Sequence, residues 1–485
     1  MKNSKFNGPF WFTNLKNTFL LRFGREIMRK ALYIPLYKVR KKGNGKGTEH
    51  TSGKTPQGLL WPRTGPFTPA GHFPAWPDLR ILLFFLLITA CGNRASSKQA
   101  ERTAEPGQTQ PVKMKIETGA DRTDAYLPLL QGKRVGIVAN PTSIIFRDAK
   151  KTEYTHMVDS LLKLGISVQK VFAPEHGFRG TADAGEAVKD GKDPKTGLPV
   201  ISLYGDNKKP RQEQLKDIDV LIFDLQDVGV RFYTYISTLH YVMEACAETG
   251  KSLIVLDRPN PNGHFVDGPI LEPKYKSFVG MHPIPIAHGM TIGEYAFMIN
   301  GEKWLANGVQ CPVRVISCAN YTKDMPYELP VKPSPNLPNA QAINLYPSTC
   351  LFEGTNVSEG RGTDKQFQVY GSPYLSQKDY PFSFTPKPNS GSKSPKYNGK
   401  MCHGEDLSES KRLSRIELQW LIRAYAHTAN RSEFFTDFFV KLAGTKALQQ
   451  QIEAGASEDE IRESWKKGLQ EFRKIREKYL LYEDA

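Results

Sequence analysis

The feature that most constrains this chain is a succession of apolar runs, each stopped by a polar cluster. Arg134-Val135-Gly136-Ile137-Val138-Ala139 is followed by Asn140-Pro141, and residues 166–173 by Pro174-Glu175-His176. Val220-Leu221-Ile222-Phe223 leads into Asp224 and Asp227, and residues 252–256 into Asp257-Arg258-Pro259-Asn260. Near-continuous apolar runs of this length read as strands buried on both faces. Further strands are expected at 198–204, 284–286 and 313–316. Between them, helical periodicity predicts helices at 157–164, 212–216, 233–248 and 291–305. Thr291 suits the N-cap of the last, with Glu294 at the capping-box position. Alternating strands and helices predict an α/β, doubly wound, mostly parallel sheet. In such a sheet ligands bind outside the carboxyl ends of the strands, where these polar clusters fall.

The alternation stops near residue 330, where Lys332-Pro333-Ser334-Pro335-Asn336-Leu337-Pro338 marks a boundary. Residues 131–330 are therefore expected to form the α/β domain and 331–485 a smaller α+β domain. The second half opens with a glycine-rich, charged stretch, Glu353-Gly354-Thr355-Asn356 through Glu359-Gly360-Arg361-Gly362-Thr363. Residues 381–400 read as an exposed loop, and 414–480 as helical with apolar and aromatic stripes facing a core.

The net charge of +16 is misleading. Residues 1–90 carry 15 lysines and arginines against 3 acids, and the rest of the chain is only +4. The basic character belongs to the leader, so nucleic acid is not an expected partner. Arg80 precedes Ile81-Leu82-Leu83-Phe84-Phe85-Leu86-Leu87-Ile88-Thr89-Ala90-Cys91, a run of signal-peptide length. Ile88-Thr89-Ala90-Cys91 resembles a bacterial lipobox, which makes Cys91 the expected site of lipidation. Residues 92–130 are then expected to act as a tether, and 1–80 to be a non-native or disordered extension outside the fold. Gly92-Asn93 after the cysteine contain no retention acid, so the expectation is a cell-envelope protein, lipid-anchored in the outer membrane and facing the periplasm. The other five cysteines contain no C-x-x-C pair and are expected to be buried thiols.

The residues that carry chemistry sit in the strand-end loops. Val171-Phe172-Ala173-Pro174-Glu175-His176-Gly177-Phe178-Arg179-Gly180 places an acid, an imidazole and an arginine around two glycines. The alternative is a polar turn whose charges satisfy one another. Two carboxyls near one bond suffice for glycoside hydrolysis. Glu175 is the best acid/base candidate, His176 a neighbour suited to orient it or to bind a sugar hydroxyl, and Asp227, slightly ahead of Asp224, a candidate partner. Asn140, Arg179, Asp224, Arg231, Tyr233, Asn260, Glu353 and Arg361 are candidates for holding substrate, the arginines through bidentate pairing to carboxylates. No G-x-G-x-x-G follows the first strand and no G-x-x-x-x-G-K-[ST] occurs, so a nucleotide cofactor is not expected. No H-E-x-x-H or G-x-S-x-G is present, and no metal or other cofactor is expected.

Five runs in order resemble one family. They are Ala139-Asn140-Pro141-Thr142-Ser143, Pro174-Glu175-His176-Gly177-Phe178-Arg179-Gly180, Asp224-Leu225-Gln226-Asp227-Val228-Gly229-Val230-Arg231-Phe232-Tyr233-Thr234-Tyr235, Asp257-Arg258-Pro259-Asn260-Pro261, and the Glu353-to-Thr363 stretch. Together they are similar to the exo-β-N-acetylmuramidase (NamZ-like) family, long catalogued as a domain of unknown function, over roughly residues 130–485. The resemblance implies a Rossmann-like domain with a smaller C-terminal domain closing the cleft. It implies release of N-acetylmuramic acid (MurNAc) from non-reducing ends of peptidoglycan fragments, with the Glu of the Pro-Glu-His-Gly run, here Glu175, as the catalytic residue. The expected partners are peptidoglycan-derived sugars or muropeptides, and the membrane through the N-terminal lipid. MurNAc bears a lactyl carboxylate that N-acetylglucosamine (GlcNAc) lacks, and Arg179, Arg231 or Arg361 is the expected discriminator. Asp227, Glu353 or the substrate's acetamido group would complete the mechanism. The rival readings are a non-catalytic sugar-binding lipoprotein and a peptidoglycan esterase or amidase.

Overall fold

The computed structural model describes residues 115–148, 151–179 and 190–484. The expected signal core with Cys91, the extension 1–80 and most of the tether lie outside the described residues. In the first half the strands are β1 (Arg134–Ala139), β2 (Ile144–Phe146), β3 (Tyr154–His156), β4 (Ser167–Ala173), β5 (Gly191–Lys192), β6 (Pro199–Ser202), β7 (Val220–Asp224), β8 (Ser252–Leu256) and β9 (Val313–Ile316). The helices are α1 (Thr123–Leu130), α2 (Met157–Lys163), α3 (Gln212–Leu215), α4 (Tyr235–Thr249) and α5 (Ile292–Gly301). Seven strands form one sheet in the order β5-β6-β4-β1-β7-β8-β9. All its pairings are parallel except that of the edge strand β5.

The chain winds outward from β1 through β4 to β6, returns to the other side of β1 at β7, and winds on to β9. This is the doubly wound arrangement. Successive side chains of β1 alternate between the two faces, as a pleated strand requires. Val135, Ile137 and Ala139 join the core under α2, while Val138 joins the core around α4. Thr291 caps α5 in a full capping box with Glu294, as expected. Ile284 to Ile286 form no strand. The neighbouring Ala287 makes only isolated bridges, to Val230 and Asp267. Two prolines in Pro283-Ile284-Pro285 each lack the N–H a ladder needs. A ribbon of β2 and β3, unexpected from the sequence, follows β1.

The second half is smaller. Helix α6 (Ala340–Thr349) runs into a 3-10 turn, Cys350–Gly354. A three-stranded antiparallel sheet has β12 (Cys402–Asp406) between β10 (Val369–Ser372) and β11 (Phe382–Phe384). Helices α7 (Gln419–His427), α8 (Phe439–Ala443), α9 (Ala447–Glu453) and α10 (Glu458–Arg476) close the chain. The stretch 381–400, read as an exposed loop, contributes β11 and a wall of the cleft described below. The core around α4 continues without a break into this half, where Phe352, Phe434 and Phe439 are fully buried. Burial of that continuous apolar surface holds the two halves together. The five cysteines in the described residues are buried and unbridged.

Candidate active site

Strand β4 ends at Ala173, and the chain reverses in a tight turn closed by a hydrogen bond from Gly177 N to Pro174 O at 3.0 Å. His176 occupies the third turn position with φ of 70°. Glycine is the usual residue there, and a β-carbon costs on the order of 1 kcal/mol. The turn sets Glu175 at the corner. Thr234 Oγ1 donates to Glu175 Oε2 at 2.7 Å, and the Tyr204 phenol interacts electrostatically with the same carboxyl. Burial pushes the Tyr204 phenol up, and the Glu175 charge adds to that.

Glu175 and His176 form part of one wall of a cleft of about 880 Å³ between the two halves. Tyr204 and Lys208 come from the loop after β6, and Phe232, Tyr233 and Thr234 from the entry to α4. Ser334 and Leu337 come from the proline-rich crossing, Tyr346 from α6, Glu353 from the 3-10 turn, and Arg361 and residues 391–394 from the loops beyond. Gly354 lets the 3-10 turn dock: a Cβ there would lie 2.4 Å from Phe439 Cα.

Glu353 is held by Arg361, whose Nη2 lies 2.7 Å from its Oε1. Arg361 Nε also reaches Glu359 at 3.3 Å, and Lys396 Nζ lies 3.6 Å from Glu359. Desolvation pushes the Glu353 carboxyl above its ordinary range; Arg361 pulls it back and Glu359 adds to the rise. Lys396 donates to the carbonyls of Phe352, Thr355 and Val357, which fixes the glycine-rich loop.

Of the residues singled out from sequence, Glu175, His176, Tyr233, Glu353 and Arg361 line this cleft. The others lie beneath or beside it. Asn140 donates to Tyr235 OH at 2.7 Å and accepts from Thr142 N. Asp224 is fully buried against Arg258, at 2.6 and 2.9 Å. Asn260 packs under Gly229 and donates to Met290 O at 2.9 Å. These groups sit at or just beyond the carboxyl ends of β1, β7 and β8, the edge where a doubly wound sheet seats its ligands, and their polar atoms are committed to neighbours in the fold. Asp227 is buried and accepts from Gly229 N at 2.6 Å; burial pushes it up to about 7. Arg231 is wholly buried and donates to four carbonyls, of Pro269, Ile284, Leu442 and Ala443. Arg179 is paired with Asp193 and Asp159. Cys91 lies outside the described residues.

Tyr204, Lys208, Thr234, Phe278 and Tyr346 line the cleft and were not singled out from sequence as site residues. The Tyr204-Gly205-Asp206-Asn207 cluster follows an apolar strand as Glu175 does, and that pattern was a usable signal. Phe278 has none. Among the described residues, no group of three or more His, Cys, Asp or Glu is placed to hold a metal.

Two family models match the chain: the N-terminal domain of exo-β-N-acetylmuramidase NamZ over residues 135–341 and its C-terminal domain over 344–482. The chain belongs to the NamZ exo-β-N-acetylmuramidase family. A curated NamZ-family relative, the peptidoglycan β-N-acetylmuramidase NamZ of Bacillus subtilis (strain 168), is 40% identical over 428 residues, covering 83% of this chain and 97% of that protein. Two crystal structures of DUF1343 family proteins from Bacteroides fragilis NCTC 9343 superpose over 76% of this chain and 100% of theirs. One has a TM-score of 0.70 at 46% identity, the other 0.65 at 29%. As a NamZ-family member the chain is a glycosidase, and the α/β sheet with its smaller C-terminal domain agrees with these neighbours.

Proposed function

We propose that the protein is an exo-acting glycoside hydrolase that releases MurNAc from the non-reducing ends of peptidoglycan fragments during cell-wall turnover and recycling. The observation that carries the site assignment is that Glu175 and Glu353, from the two halves of the chain, line one cleft. Two carboxyls flanking a glycosidic bond are what the reaction requires. Glu175 is assigned as general acid/base, oriented by the Thr234 hydroxyl, with the Tyr204 phenol beside it. It protonates the glycosidic oxygen as the bond to the anomeric carbon breaks. Glu353 is assigned as its partner in preference to Asp227, because Glu353 opens onto the cleft. Arg361 supplies the charge that lets Glu353 become anionic against desolvation and accept a proton from attacking water. The lipobox-like run ending at Cys91 supports a lipid-anchored enzyme of the cell envelope, held on the outer membrane and facing the periplasm.

The test is incubation of the protein with para-nitrophenyl β-MurNAc and, in parallel, the β-GlcNAc analogue. Nitrophenol is expected from the first and little from the second. With Glu175→Gln the rate is expected to fall by roughly 10²- to 10⁴-fold with binding and melting temperature retained. Near wild-type turnover by that variant removes Glu175 from the acid/base role.

A further inference from the structure

The three arginines expected to read the lactyl carboxylate are already committed. Arg231 is sealed among carbonyls, and Arg179 is neutralised by two aspartates outside the cleft lining. Arg361 lines the cleft between Glu353 and Glu359, so an anionic sugar arriving there would meet two carboxyl groups.

The opposite wall differs. Lys208 lines the cleft, and no carboxylate pairs with it among the described residues. Its Nζ sits 5.3 Å from the centroid of Phe278. Phe278 is in turn 5.9 Å, centroid to centroid, from Tyr204, whose phenol interacts electrostatically with the Glu175 carboxyl. The adjacent Lys209 is tied to Glu244 and Glu248, both at 2.7 Å. A cation on an aromatic platform, lining the same cleft as the catalytic carboxyl and joined to it through Phe278 and Tyr204, can take both the apolar face of a sugar and an anion on the same ring.

We infer that Lys208, backed by Phe278 and Tyr204, is the subsite for a carboxylate on the sugar whose bond is cleaved, and so selects MurNAc with a free lactyl group over neutral amino sugars. This rests on the function proposed above. A lactyl group amidated by a peptide stem presents no charge at that position. Peptide-free MurNAc ends are therefore the preferred substrate.

The test measures binding of free MurNAc and GlcNAc by calorimetry, together with kcat and KM on para-nitrophenyl β-MurNAc and on its lactyl N-methylamide. Wild type is expected to prefer the free acid. Lys208→Met is expected to raise KM for the acid roughly 10- to 100-fold, the range of a charge-assisted contact, with kcat little changed. It should weaken MurNAc binding equally and leave GlcNAc binding unmoved. Lys208→Arg should retain most of the preference, and Lys209→Met should behave as wild type. If Lys208→Met keeps its MurNAc affinity within threefold, the inference is overturned. If the wild type binds MurNAc over GlcNAc without cleaving the glycoside, the enzymatic reading fails while loss of that binding in Lys208→Met still upholds the subsite.

Discussion

Thr234 gives its hydroxyl hydrogen to Glu175 Oε2 at 2.7 Å. It is the N-cap residue of α4, but its φ of −70° and ψ of −8° are helical rather than the extended angles of a capping residue, and its side chain accepts no cap hydrogen bond. The hydroxyl at the entry to α4 therefore serves the carboxyl and not the helix end. Thr234→Val is expected to lower kcat roughly tenfold with KM nearly unchanged, because the aim of the acid is lost and not the sugar contacts. Thr234→Ser should restore most of the rate. Equal losses in both variants would make Thr234 a packing residue only.

Glu353 and Asp227 are separated by one pair of substitutions. Glu353→Gln is expected to reduce kcat on the MurNAc glycoside by at least roughly 10²-fold. Asp227→Asn is expected to keep activity and to change stability with pH. An Asp titrates at 3.8 in the absence of a perturbing environment, and burial moves Asp227 to about 7 in the fold. The folded state then holds a proton that the unfolded chain has released, so this contribution is complete below about 4 and is lost as pH rises through about 7. The stability difference between Asp227→Asn and wild type should therefore grow in favour of the variant from pH 4 to pH 8. A flat difference in urea titrations across that range, or an inactive folded Asp227→Asn, would overturn the assignment.

Arg231 joins the halves by donating to carbonyls of Pro269 and Ile284 in the first and of Leu442 and Ala443 in the second. Arg231→Met should leave four buried carbonyls short of a donor and cost at least about 3 kcal/mol. The melting temperature should fall, while kcat of the folded fraction at low temperature stays near wild type. A drop in MurNAc affinity without loss of stability would instead restore Arg231 as a ligand contact.

Three buried histidines and the half-buried His156 predict acid sensitivity. Desolvation lowers His156 and His240 to about 4, His288 to about 3, and His282 well below its ordinary value. His282 links Tyr295 to His240 at 2.8 and 2.9 Å. A depressed imidazole contributes stability that is present above the unfolded value of about 6.5 and is lost as pH falls. His156, His240 and His288 should each cost on the order of 2 kcal/mol at pH 5, with Asp227 working in the opposite direction. The urea midpoint is expected to be clearly lower at pH 5 than at pH 7.5, and an unchanged midpoint would show that these imidazoles are solvated or paired.

The central architecture was legible in the chain because it rests on local pattern. Runs such as Val220-Leu221-Ile222-Phe223 are apolar on both faces, as a parallel strand covered on both sides requires. Pro174 and Gly177 around Glu175 announced a turn at a strand end, and parallel strands bring such ends to one edge. The Ile284 run misled because its apolar residues serve a core without a ladder. What only the tertiary structure decided is which polar residues face the cleft. Asp227, Arg231 and Glu175 look alike as charges following strands. Whether each meets solvent or a carbonyl depends on packing against residues such as Leu442 and Ala443, more than 200 positions away. Lys208 and Phe278 are likewise ordinary in sequence, and their place on the cleft that Glu175 also lines exists only once distant segments have packed together. Local periodicity specifies elements and faces; contact between distant segments specifies which side chains can meet a substrate.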